Sequence, residues 1–528
     1  MDSRKNSPLV QVQGLTVRYE TDKGEQCALK DVSFSINKGE RLAIVGETGS
    51  GKTTLGRVLL NINDAKAVTT FESININHRQ QLSIRSLNEF NPLRGKTFSM
   101  LFQEPSLYLN PVIKCGKQIL ETLVMDGRVD KQAAIKLILD ELEKVGFSTP
   151  ERIYNSYPNQ LSGGECQRVM LVMVTIRNPA LLIADEPTSS LDIASKEIIL
   201  KYLQDLSISK GMSTVLISHD LSLALNYSDR ILVMSKGEMV DAIDTANFNS
   251  AEKSEYTKKL FLNSKKLANR NVAVNQEKQM EPFLNVTNLN IHHASSGGRS
   301  LFFNKKLHAL KNAGFSIQKG ETVGILGESG SGKSSLAWCL AGLLKNSSGS
   351  IEFMGNEMAK GDIQMVFQNP GLALSPKQKV GKAVEEVLAA NKLKYNGSYN
   401  KDQTSALFDM VNLDHDLMDR LPHHLSGGEK QRVCIAKALA AKPQLIIFDE
   451  AVSSLDASIK LEILELLVSL RNKLNLTYIF ISHDFSVIKF AAERVMVMHQ
   501  GEIIEQNSTQ QIINHQDNPV TSKLVLQS

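Results

Sequence analysis

The chain has 528 residues, enough for two to four domains of ordinary size and for a sizeable buried core. It has 60 Lys and Arg against 56 Asp and Glu, a net charge of +4, and 42% hydrophobic residues. These values exclude a disordered chain, a collagen-like chain and a strongly basic nucleic-acid-binding protein.

Cysteine use and the apolar runs indicate the compartment. The cysteines lie far apart and form no CxxC pair, which predicts buried free thiols in a reducing environment: Cys27, Cys115, Cys166, Cys339 and Cys434. The N-terminus, MDSRKNSPLV, has no apolar signal segment. The longest apolar run, Val169 to Ile176, is far shorter than the roughly 20 residues that span a bilayer. We therefore expect a soluble, cytoplasmic protein.

The first strong pattern in chain order is an apolar strand that runs into a glycine loop. RLAIV, at 41–45, predicts a buried strand, and GETGSGKT follows it at Gly46 to Thr53. The next apolar residues have helical spacing and predict a core-facing helix that begins at Lys52: Leu55, Val58, Leu59 and Ile62.

Strand, glycine loop and helix in this order are typical of a P-loop, whose backbone N–H groups close around the β- and γ-phosphates of a nucleotide. Lys52 adds a positive charge at those phosphates, and the hydroxyl of Thr53 can bind Mg²⁺. The predicted nucleotide-binding residues are Gly46, Glu47, Thr48, Gly49, Ser50, Gly51, Lys52, Thr53 and Thr54.

A second apolar run, LLIADE, ends in two acids. Asp185 is expected at the end of a buried strand, where its carboxylate can hold Mg²⁺ through water. Glu186 can accept a proton from the attacking water. Alone, an acidic pair after a strand more often caps a loop; a P-loop in the same chain reverses that preference.

Every one of these motifs occurs twice in the same order, so the chain is a tandem duplication. The second strand is TVGIL at 322–326, and the second acids are Asp449 and Glu450. The helical spacing also returns and predicts a helix that begins at Lys333: Leu336, Cys339, Leu340 and Leu343. The second loop supplies Gly327, Glu328, Ser329, Gly330, Ser331, Gly332, Lys333, Ser334 and Ser335. The distance along the chain between the two P-loops is larger than the distance between the two copies of each later motif. The first copy therefore has extra residues, around 75–91, which we expect to form a loop.

The repeat predicts the domain organisation. We expect one domain at 1–246, a polar linker with a short helical segment at 247–281, and a second domain at 282–528. Within each copy, short β-branched runs alternate with amphipathic helical segments, which predicts an α/β fold with a mainly parallel sheet.

LSGGECQR at Leu161 to Arg168, which returns as LSGGEKQR at Leu425 to Arg432, resembles the signature of the ATP-binding cassette (ABC) superfamily. The resemblance implies two P-loop ATPase domains, each with an antiparallel β part and a helical subdomain beside its parallel sheet. It also implies that each signature loop clamps the γ-phosphate of a nucleotide bound to the other cassette, through Ser162, Gly163 and Gly164, and through Ser426, Gly427 and Gly428.

Other cassette elements match residue by residue. Gln103 and Gln368 resemble the Q-loop glutamines that touch Mg²⁺ and the attacking water, and His219 and His483 resemble the switch histidines at the γ-phosphate. SSLD at 189–192 and at 453–456 resembles the D-loop.

The adenine contacts are less alike in the two halves. Tyr19 resembles the aromatic residue that stacks on adenine. In the second half His293 aligns with it, with Phe302 and Phe303 further on, so the second adenine contact stays open.

Details within the superfamily resemble the ATPase subunits of dipeptide and oligopeptide importers, in particular the fused two-cassette subunits of microcin C type. They include SLYLNP after Gln103, LALSP after Gln368, and SEYTKKL from Ser254 and NPVTSKL from Asn518, which are variants of a His-Pro-Tyr-Thr element. The resemblance implies ATP and Mg²⁺ as cofactors and two integral-membrane permease subunits as partners. It also implies an extracytoplasmic peptide-binding protein as an indirect partner and a peripheral position on the cytoplasmic face of the inner membrane.

The sequence departs from that group in two ways. It lacks the cysteine cluster that can hold an iron–sulfur centre, so no such centre is expected. Ala451 follows Glu450 where Pro187 follows Glu186 in the first half, but both glutamates are present, so two competent ATP sites are expected in a single chain that supplies both cassettes.

The alternative function is that of a two-cassette ATPase acting on the ribosome. Such factors carry a longer, charged, helical arm between their cassettes, whereas this linker is short and mildly basic, so no nucleic acid is expected as a partner. ATPases of DNA repair and chromosome structure would need a long coiled coil or zinc modules, which this sequence lacks.

Overall fold

The chain folds into two compact units, Met1–Ser264 and Lys265–Ser528, so the division falls inside the stretch predicted as a linker. The structure is a computed structural model, which describes residues 8–21, 24–64, 66–77, 81–124, 130–188, 191, 193–269, 282–293, 307–328, 330–353, 361–391, 401–453, 455–514 and 518–526.

The first unit combines eleven described strands with a series of helices. The strands are β1 (Pro8–Thr21), β2 (Gly24–Asn37), β3 (Arg41–Val45), β4 (Ala67–Thr70), β5 (Ser73–Asn77), β6 (Gln81–Ile84), β7 (Phe98–Leu101), β8 (Leu181–Asp185), β9 (Ser213–Ser218), β10 (Arg230–Ser235) and β11 (Glu238–Asp244). The helices are α1 (Lys52–Val58), α2 (Pro105–Tyr108), α3 (Cys115–Val124), α4 (Lys131–Lys144), α5 (Pro150–Asn155), α6 (Gly163–Thr175), α7 (Ile193–Lys210), α8 (Leu221–Tyr227) and α9 (Glu255–Asn269), which runs past the division.

The second unit repeats this order. Its strands are β12 (Pro282–His293), β13 (Leu307–Gln318), β14 (Thr322–Gly327), β15 (Ser348–Phe353), β16 (Ile363–Val366), β17 (Leu445–Asp449), β18 (Thr477–Ser482), β19 (Arg494–His499) and β20 (Glu502–Ser508). Its helices are α10 (Lys333–Leu340), α11 (Pro370–Ala373), α12 (Val380–Ala390), α13 (Lys401–Met410), α14 (Gly427–Leu439), α15 (Ala457–Leu474), α16 (Phe485–Ala491), α17 (Thr509–Asn514) and α18 (Pro519–Leu526).

The predicted strand at 41–45 is β3, in the middle of a six-stranded sheet of order β11-β10-β3-β9-β8-β7. All neighbours pair in parallel except β11, which is antiparallel to β10. Alternate residues of β3 enter different cores: Ala43 and Val45 pack on the side of the helical segments, and Leu42 and Ile44 pack on the other. A strand buried on both faces has to be apolar, as the four residues of RLAIV after Arg41 are. The second unit has the corresponding sheet, β16-β17-β18-β14-β19-β20.

A separate antiparallel sheet covers one side of each parallel sheet. In the first unit it has the order β2-β1-β5-β6, with β4 also paired to β1, and in the second it is β13-β12-β15. The prediction of a loop at 75–91 was wrong, because these residues include the end of β5, all of β6 and a 3-10 turn at Leu87–Phe90. The polar residues there are the outward-facing half of an alternating pattern whose inward half, Ile74, Ile76 and Ile84, is buried.

The helices after the glycine loops begin at Lys52 and Lys333, as predicted, but they are short. They end at Val58 and Leu340, so the last apolar residue of each predicted helical pattern lies beyond the helix. Ile62 still packs against the core, whereas Leu343 is 64% exposed.

The first unit also has a helical part, formed by α3 to α6. Its core contains Ile119, Ile138, Leu142 and Val169 and is continuous with one face of the parallel sheet. The signature helix α6 therefore joins the helical part to the sheet that carries the P-loop.

All five cysteines are free thiols, as predicted, and four of them are buried; the prediction of burial was wrong for Cys27, which is exposed. Over the described part of the chain, no helix combines the length and apolar character needed to cross a membrane.

Candidate functional site

The two glycine loops have the same backbone geometry. Gly51 and Gly332 are left-handed, with φ of 100° and 102°. A Cβ at Gly51 would lie 2.6 Å from the carbonyl oxygen of Ala28, and one at Gly332 would lie 2.2 Å from that of Ala309. Glycine is therefore required at both positions, by conformation and by space.

The loop lysine closes each loop on itself. Lys52 Nζ donates to the carbonyl oxygens of Gly46 and Glu47, both at 2.8 Å, and Lys333 Nζ makes the same two bonds to Gly327 and Glu328. Both lysines are more than nine-tenths buried. The loops are thus preorganised, with a fixed positive charge inside each ring.

The residue after each lysine meets the acid at the end of another strand of the same parallel sheet. Thr53 Oγ1 donates to Asp185 Oδ1 at 3.1 Å, and Ser334 Oγ donates to Asp449 Oδ1 at 3.3 Å. Burial raises the pKa of Asp185 to about 6, against the lowering effect of the Thr53 hydrogen bond, and burial also raises the pKa of Asp449. A hydroxyl beside a buried carboxylate is a set of hard oxygen donors that suits Mg²⁺.

The predicted general base contacts a glutamine and a histidine. Glu186 Oε2 accepts from Gln103 Nε2 at 3.0 Å, and Glu186 Oε1 lies 3.1 Å from His219 Nδ1. Burial alone would raise the pKa of Glu186, but the hydrogen bond and charge of His219, with the charge of Lys52, outweigh it and lower the pKa. The carboxylate is therefore held ionised, the state that a base requires.

The second unit repeats this arrangement. Glu450 Oε2 accepts from Gln368 Nε2 at 3.0 Å, and Glu450 Oε1 lies 3.2 Å from His483 Nδ1. The two glutamates share an unusual backbone, with φ of 45° at Glu186 and 48° at Glu450. A left-handed residue that is not glycine costs free energy, and such strain concentrates at functional sites. Here it directs each carboxylate out of its strand toward the glutamine and the histidine.

The signature serines cap helices. Ser162 Oγ accepts from the backbone N–H of Glu165 at 3.2 Å, and Ser426 Oγ accepts from that of Glu429 at 3.3 Å. Each glutamate bonds back to the serine N–H, which completes a capping box. The capping bond uses the hydroxyl as an acceptor, which leaves its hydrogen available to an anion.

The adenine candidate Tyr19 lies in β1, paired with Gln26 of β2 and Ala67 of β4, and it packs half-buried against the core. His293 ends β12 opposite Leu307. Phe302, Phe303 and the loop residue Ser329 lie outside the described residues.

Three of the four residues of the first D-loop lie outside the described residues: Ser189, Ser190 and Asp192. In the second D-loop, Ser453 Oγ donates to the carbonyl oxygen of Glu450 at 2.8 Å. Asp456 caps α15 by accepting from the N–H of Ile459 at 3.0 Å. The second D-loop is thus tied to the residue predicted as the base.

One contact at the P-loop was missed by the sequence analysis. The hydroxyl of Tyr256 accepts from the backbone N–H of Glu47 at 3.0 Å. The tyrosine belongs to SEYTKKL, a variant of the His-Pro-Tyr-Thr element. The one signal that could have suggested a role is its place in the repeat, opposite NPVTSKL.

A glycine loop after a parallel strand, with its hydroxyl on a strand-end aspartate and a glutamate beside it, defines a P-loop nucleotide hydrolase. The profile of the ABC transporter family matches residues 29–189 and 310–453, more than half of the chain. The chain therefore belongs to the ABC transporter family and is an ATPase with two cassettes.

Relatives match along nearly the whole length. Glutathione import ATP-binding protein GsiA of Pectobacterium atrosepticum is 34% identical, over 98% of this chain and 89% of that protein. The protein of the same name from Escherichia coli (strain K12) is 33% identical, over 97% of this chain and 88% of that protein.

Two solved structures share the fold. RNase-L Inhibitor aligns with a TM-score of 0.60 and 20% identity over 94% of this chain and 91% of that one. The archaeal ribosome recycling factor aABCE1, in complex with the ribosomal stalk protein aP1, aligns with a TM-score of 0.59 and 21% identity over 94% and 90%. At this level of identity the likeness concerns the fold alone.

Proposed function

We propose that this chain is the ATP-hydrolysing subunit of an importer for peptides or peptide-like compounds, working through separate permease subunits in the membrane. The observation that carries the proposal is the identity of 34% along 98% of the chain with a glutathione import ATP-binding protein. The presence of the Gln–Glu–His arrangement in both cassettes supports it.

In each cassette the glycine loop would hold the phosphates of ATP, from Gly46 to Thr54 and from Gly327 to Ser335. Mg²⁺ would be held by Thr53, Gln103 and Asp185 in one cassette and by Ser334, Gln368 and Asp449 in the other. When bound, it supplies positive charge at the phosphate oxygens. Tyr19 is the proposed adenine contact of the first cassette.

Hydrolysis would use the two glutamates that follow the strand-end aspartates. Glu186 and Glu450 accept the proton of the attacking water, which typically contributes about 10² to 10⁴ in rate. Gln103 and Gln368 orient that water, and His219 and His483 hold the carboxylates and contact the γ-phosphate. Because the glutamates are held from two sides before ATP binds, little reorganisation is needed at the moment of reaction.

Completion of each site would require the signature loop of the other cassette. Ser162, Gly163 and Gly164 are proposed to contact the γ-phosphate bound by the second cassette, and Ser426, Gly427 and Gly428 that bound by the first. The tether makes this pairing intramolecular, at an effective concentration that can approach the millimolar range. A fully flexible linker of this length would span on the order of 35 Å. Residues 255–269 are helical, so the flexible part of the linker is shorter than its full length.

The surface beside each Q-loop is the proposed docking site for the permeases. Leu107 and Val112, just after Gln103, are 74% and 78% exposed, and Leu372, just after Gln368, is 86% exposed. Exposed apolar side chains grouped beside a site often mark a protein contact. A coupling helix from each permease would cover one group, and the ATPase would then sit on the cytoplasmic face of the membrane.

Purification of the tagged chain from its native membrane tests the proposal. Two polytopic membrane proteins should co-purify, and an extracytoplasmic peptide-binding protein should stimulate ATP hydrolysis in the reconstituted complex. The alternative is a two-cassette ATPase acting on the ribosome, and the likeness to aABCE1 does not favour it, because at 21% identity that likeness concerns the fold alone. Sedimentation with ribosomes in place of membranes would overturn the importer.

A further inference from the structure

Two segments that the proposed function leaves unused occupy corresponding places in the units. SEYTKKL, residues 254–260, begins α9 after the last strand of the first parallel sheet. NPVTSKL, residues 518–524, begins α18 after the last strand of the second. Corresponding residues of the two segments share burial, since Thr257 and Thr521 are fully buried and Leu260 and Leu524 nearly so.

Each segment is fastened to its sheet by the buried threonine. In the first unit, Asp241 of β11 accepts hydrogen bonds from the hydroxyls of Ser254, at 2.6 Å, and of Thr257. In the second, Thr521 Oγ1 donates to Glu505 Oε2 of β20 at 2.6 Å. A hydrogen bond to a charged group is stronger than a neutral one, so the start of each helix is fixed relative to the sheet.

From this fixed start, the first helix reaches the P-loop. The Tyr256 hydroxyl accepts from the N–H of Glu47 at 3.0 Å, while Lys52 Nζ donates to the carbonyl oxygen of the same residue at 2.8 Å. Both backbone polar groups of Glu47 are therefore engaged. Removal of the tyrosine hydroxyl would free one of them.

The second unit makes a different contact at the same place. Val520 stands at the position that corresponds to Tyr256, and its side chain has no polar group. Lys523 Nζ instead lies 3.3 Å from the side chain of Glu328, and the two side chains are 43% and 34% exposed. An ion pair exposed to this degree contributes little.

We propose that Tyr256 is a positioning residue of the first nucleotide site, which holds the first P-loop in its binding-competent shape, and that the described residues give the second P-loop no comparable support. The inference rests on the proposed role of Gly46 to Thr54 in nucleotide binding. If only a fraction of loops is competent, the apparent affinity for ATP falls by that fraction. The loss of one neutral hydrogen bond corresponds to about a fivefold change.

The test uses the full chain with one site disabled. In a Lys333→Ala background, Tyr256→Phe should weaken the Kd for a fluorescent ATP analogue about fivefold. In the otherwise unchanged chain it should raise KM for ATP and leave kcat at saturating ATP almost unaffected. In a Lys52→Ala background, Lys523→Met should change the second-site Kd by less than about twofold.

Tyr478→Phe is the matched control, because Tyr478 is buried and its hydroxyl has no hydrogen-bond partner among the described residues. It should leave the first-site Kd unchanged. Thr257→Val is the second variant, since it loosens the anchor and keeps the tyrosine hydroxyl, and it should also weaken the first-site Kd.

An unchanged Kd in both Tyr256→Phe and Thr257→Val overturns the inference, as does an equal shift in Tyr478→Phe. A separate measurement tests the proposed nucleotide binding by the first glycine loop, on which this inference rests. If Lys52→Ala added to Lys333→Ala does not reduce binding of the analogue, the glycine loop is not the nucleotide site.

Discussion

Gln103 donates a hydrogen bond from Nε2 to Oε2 of Glu186 over 3.0 Å, although 83 residues separate them in the chain. The glutamine follows β7 and the glutamate follows β8, which are adjacent parallel strands. Carboxyl ends of neighbouring parallel strands meet at one edge of a sheet, where ligands bind in α/β folds. The second cassette has the same bond between Gln368 and Glu450, so both cassettes have the same side-chain arrangement at this edge of the sheet.

Both sites are predicted to hydrolyse ATP. Glu186→Gln and Glu450→Gln should each lower the rate of phosphate release at least about twofold, because each removes one of two bases. The double variant should lose at least about 100-fold, the lower end of the range for a general base. Steady-state phosphate release at saturating ATP is the measurement.

Glu238→Gln is the control for this pair, since Glu238 lies in the first unit and its side chain forms an exposed ion pair with Lys30. Its rate should match that of the unchanged chain. A Glu186→Gln variant with an unaltered rate would show that the first site does not turn over.

Replacement of the signature glycine Gly163 by alanine should leave its own cassette intact and impair ATP hydrolysis at the shared site. A Cβ at Gly163 meets nothing within 4 Å. Gly163→Ala should therefore keep the unfolding temperature and the Kd for ATP, while its hydrolysis rate falls at least tenfold, because the methyl group intrudes on a nucleotide held by the other cassette. Calorimetry, equilibrium binding and phosphate release separate these effects. A normal hydrolysis rate would argue against a site shared between cassettes.

Much of the site could be predicted because its residues lie beside strong local patterns. RLAIV and LLIADE each contain an uninterrupted apolar run, Leu42 to Val45 and Leu181 to Ala184, as expected of a strand buried on both faces, and functional residues follow each run directly. The repeat then doubles each signal. Asp185, Glu186 and Gln103 meet because the ends of parallel strands meet.

The missed features depend on contacts that sequence spacing does not encode. The strands at 73–84 have buried isoleucines, but the polar residues between them predicted a loop. The bond from the Glu47 N–H to Tyr256 joins residues more than 200 positions apart. No helical or strand period relates such residues, so only the folded chain reveals that bond.

A buried carboxylate in the helical part predicts a pH-dependent contribution to stability. Glu141 is 4% exposed and accepts from Tyr202 Oη at 2.7 Å and from Lys144 Nζ at 2.9 Å. Burial would raise its pKa, but these two partners outweigh burial and lower it. The stabilisation is therefore present above the unfolded-state pKa of about 4.3 and is lost as pH falls through the lower folded-state value.

Glu141→Gln should accordingly destabilise the first unit by about 1 to 3 kcal/mol at pH 7. For a unit of this size each kcal/mol lowers the unfolding temperature by about 2 to 4 °C. The difference from the unchanged chain should shrink as pH falls below about 4. Glu143→Gln, at an exposed position of the same helix, should show no difference at either pH. A gap that is constant with pH would contradict the assignment.

The docking surface beside the first Q-loop predicts a selective loss of partners. Leu107→Glu places a charge where a permease helix is proposed to pack, and burial of an unpaired charge is costly. The variant should keep its unfolding temperature, because Leu107 is 74% exposed, but should recover at least fivefold less membrane protein in co-purification. Val68→Glu, at an apolar position that is 53% exposed on β4, should recover the normal amount. Equal losses in both variants would place the partner elsewhere.

Trp338 should report nucleotide at the second site alone. It is the chain's one tryptophan, and it lies on α10, which begins at the P-loop residue Lys333. Five residues of helix place it about 8 Å along the axis from that lysine, and it is 41% exposed, so movement of the helix changes its contact with water. In a Glu450→Gln chain, ATP should change the tryptophan emission with a saturable dose dependence. The change should persist with Lys52→Ala and vanish with Lys333→Ala, whereas a signal that survives Lys333→Ala would mean that nucleotide reaches the tryptophan by another site.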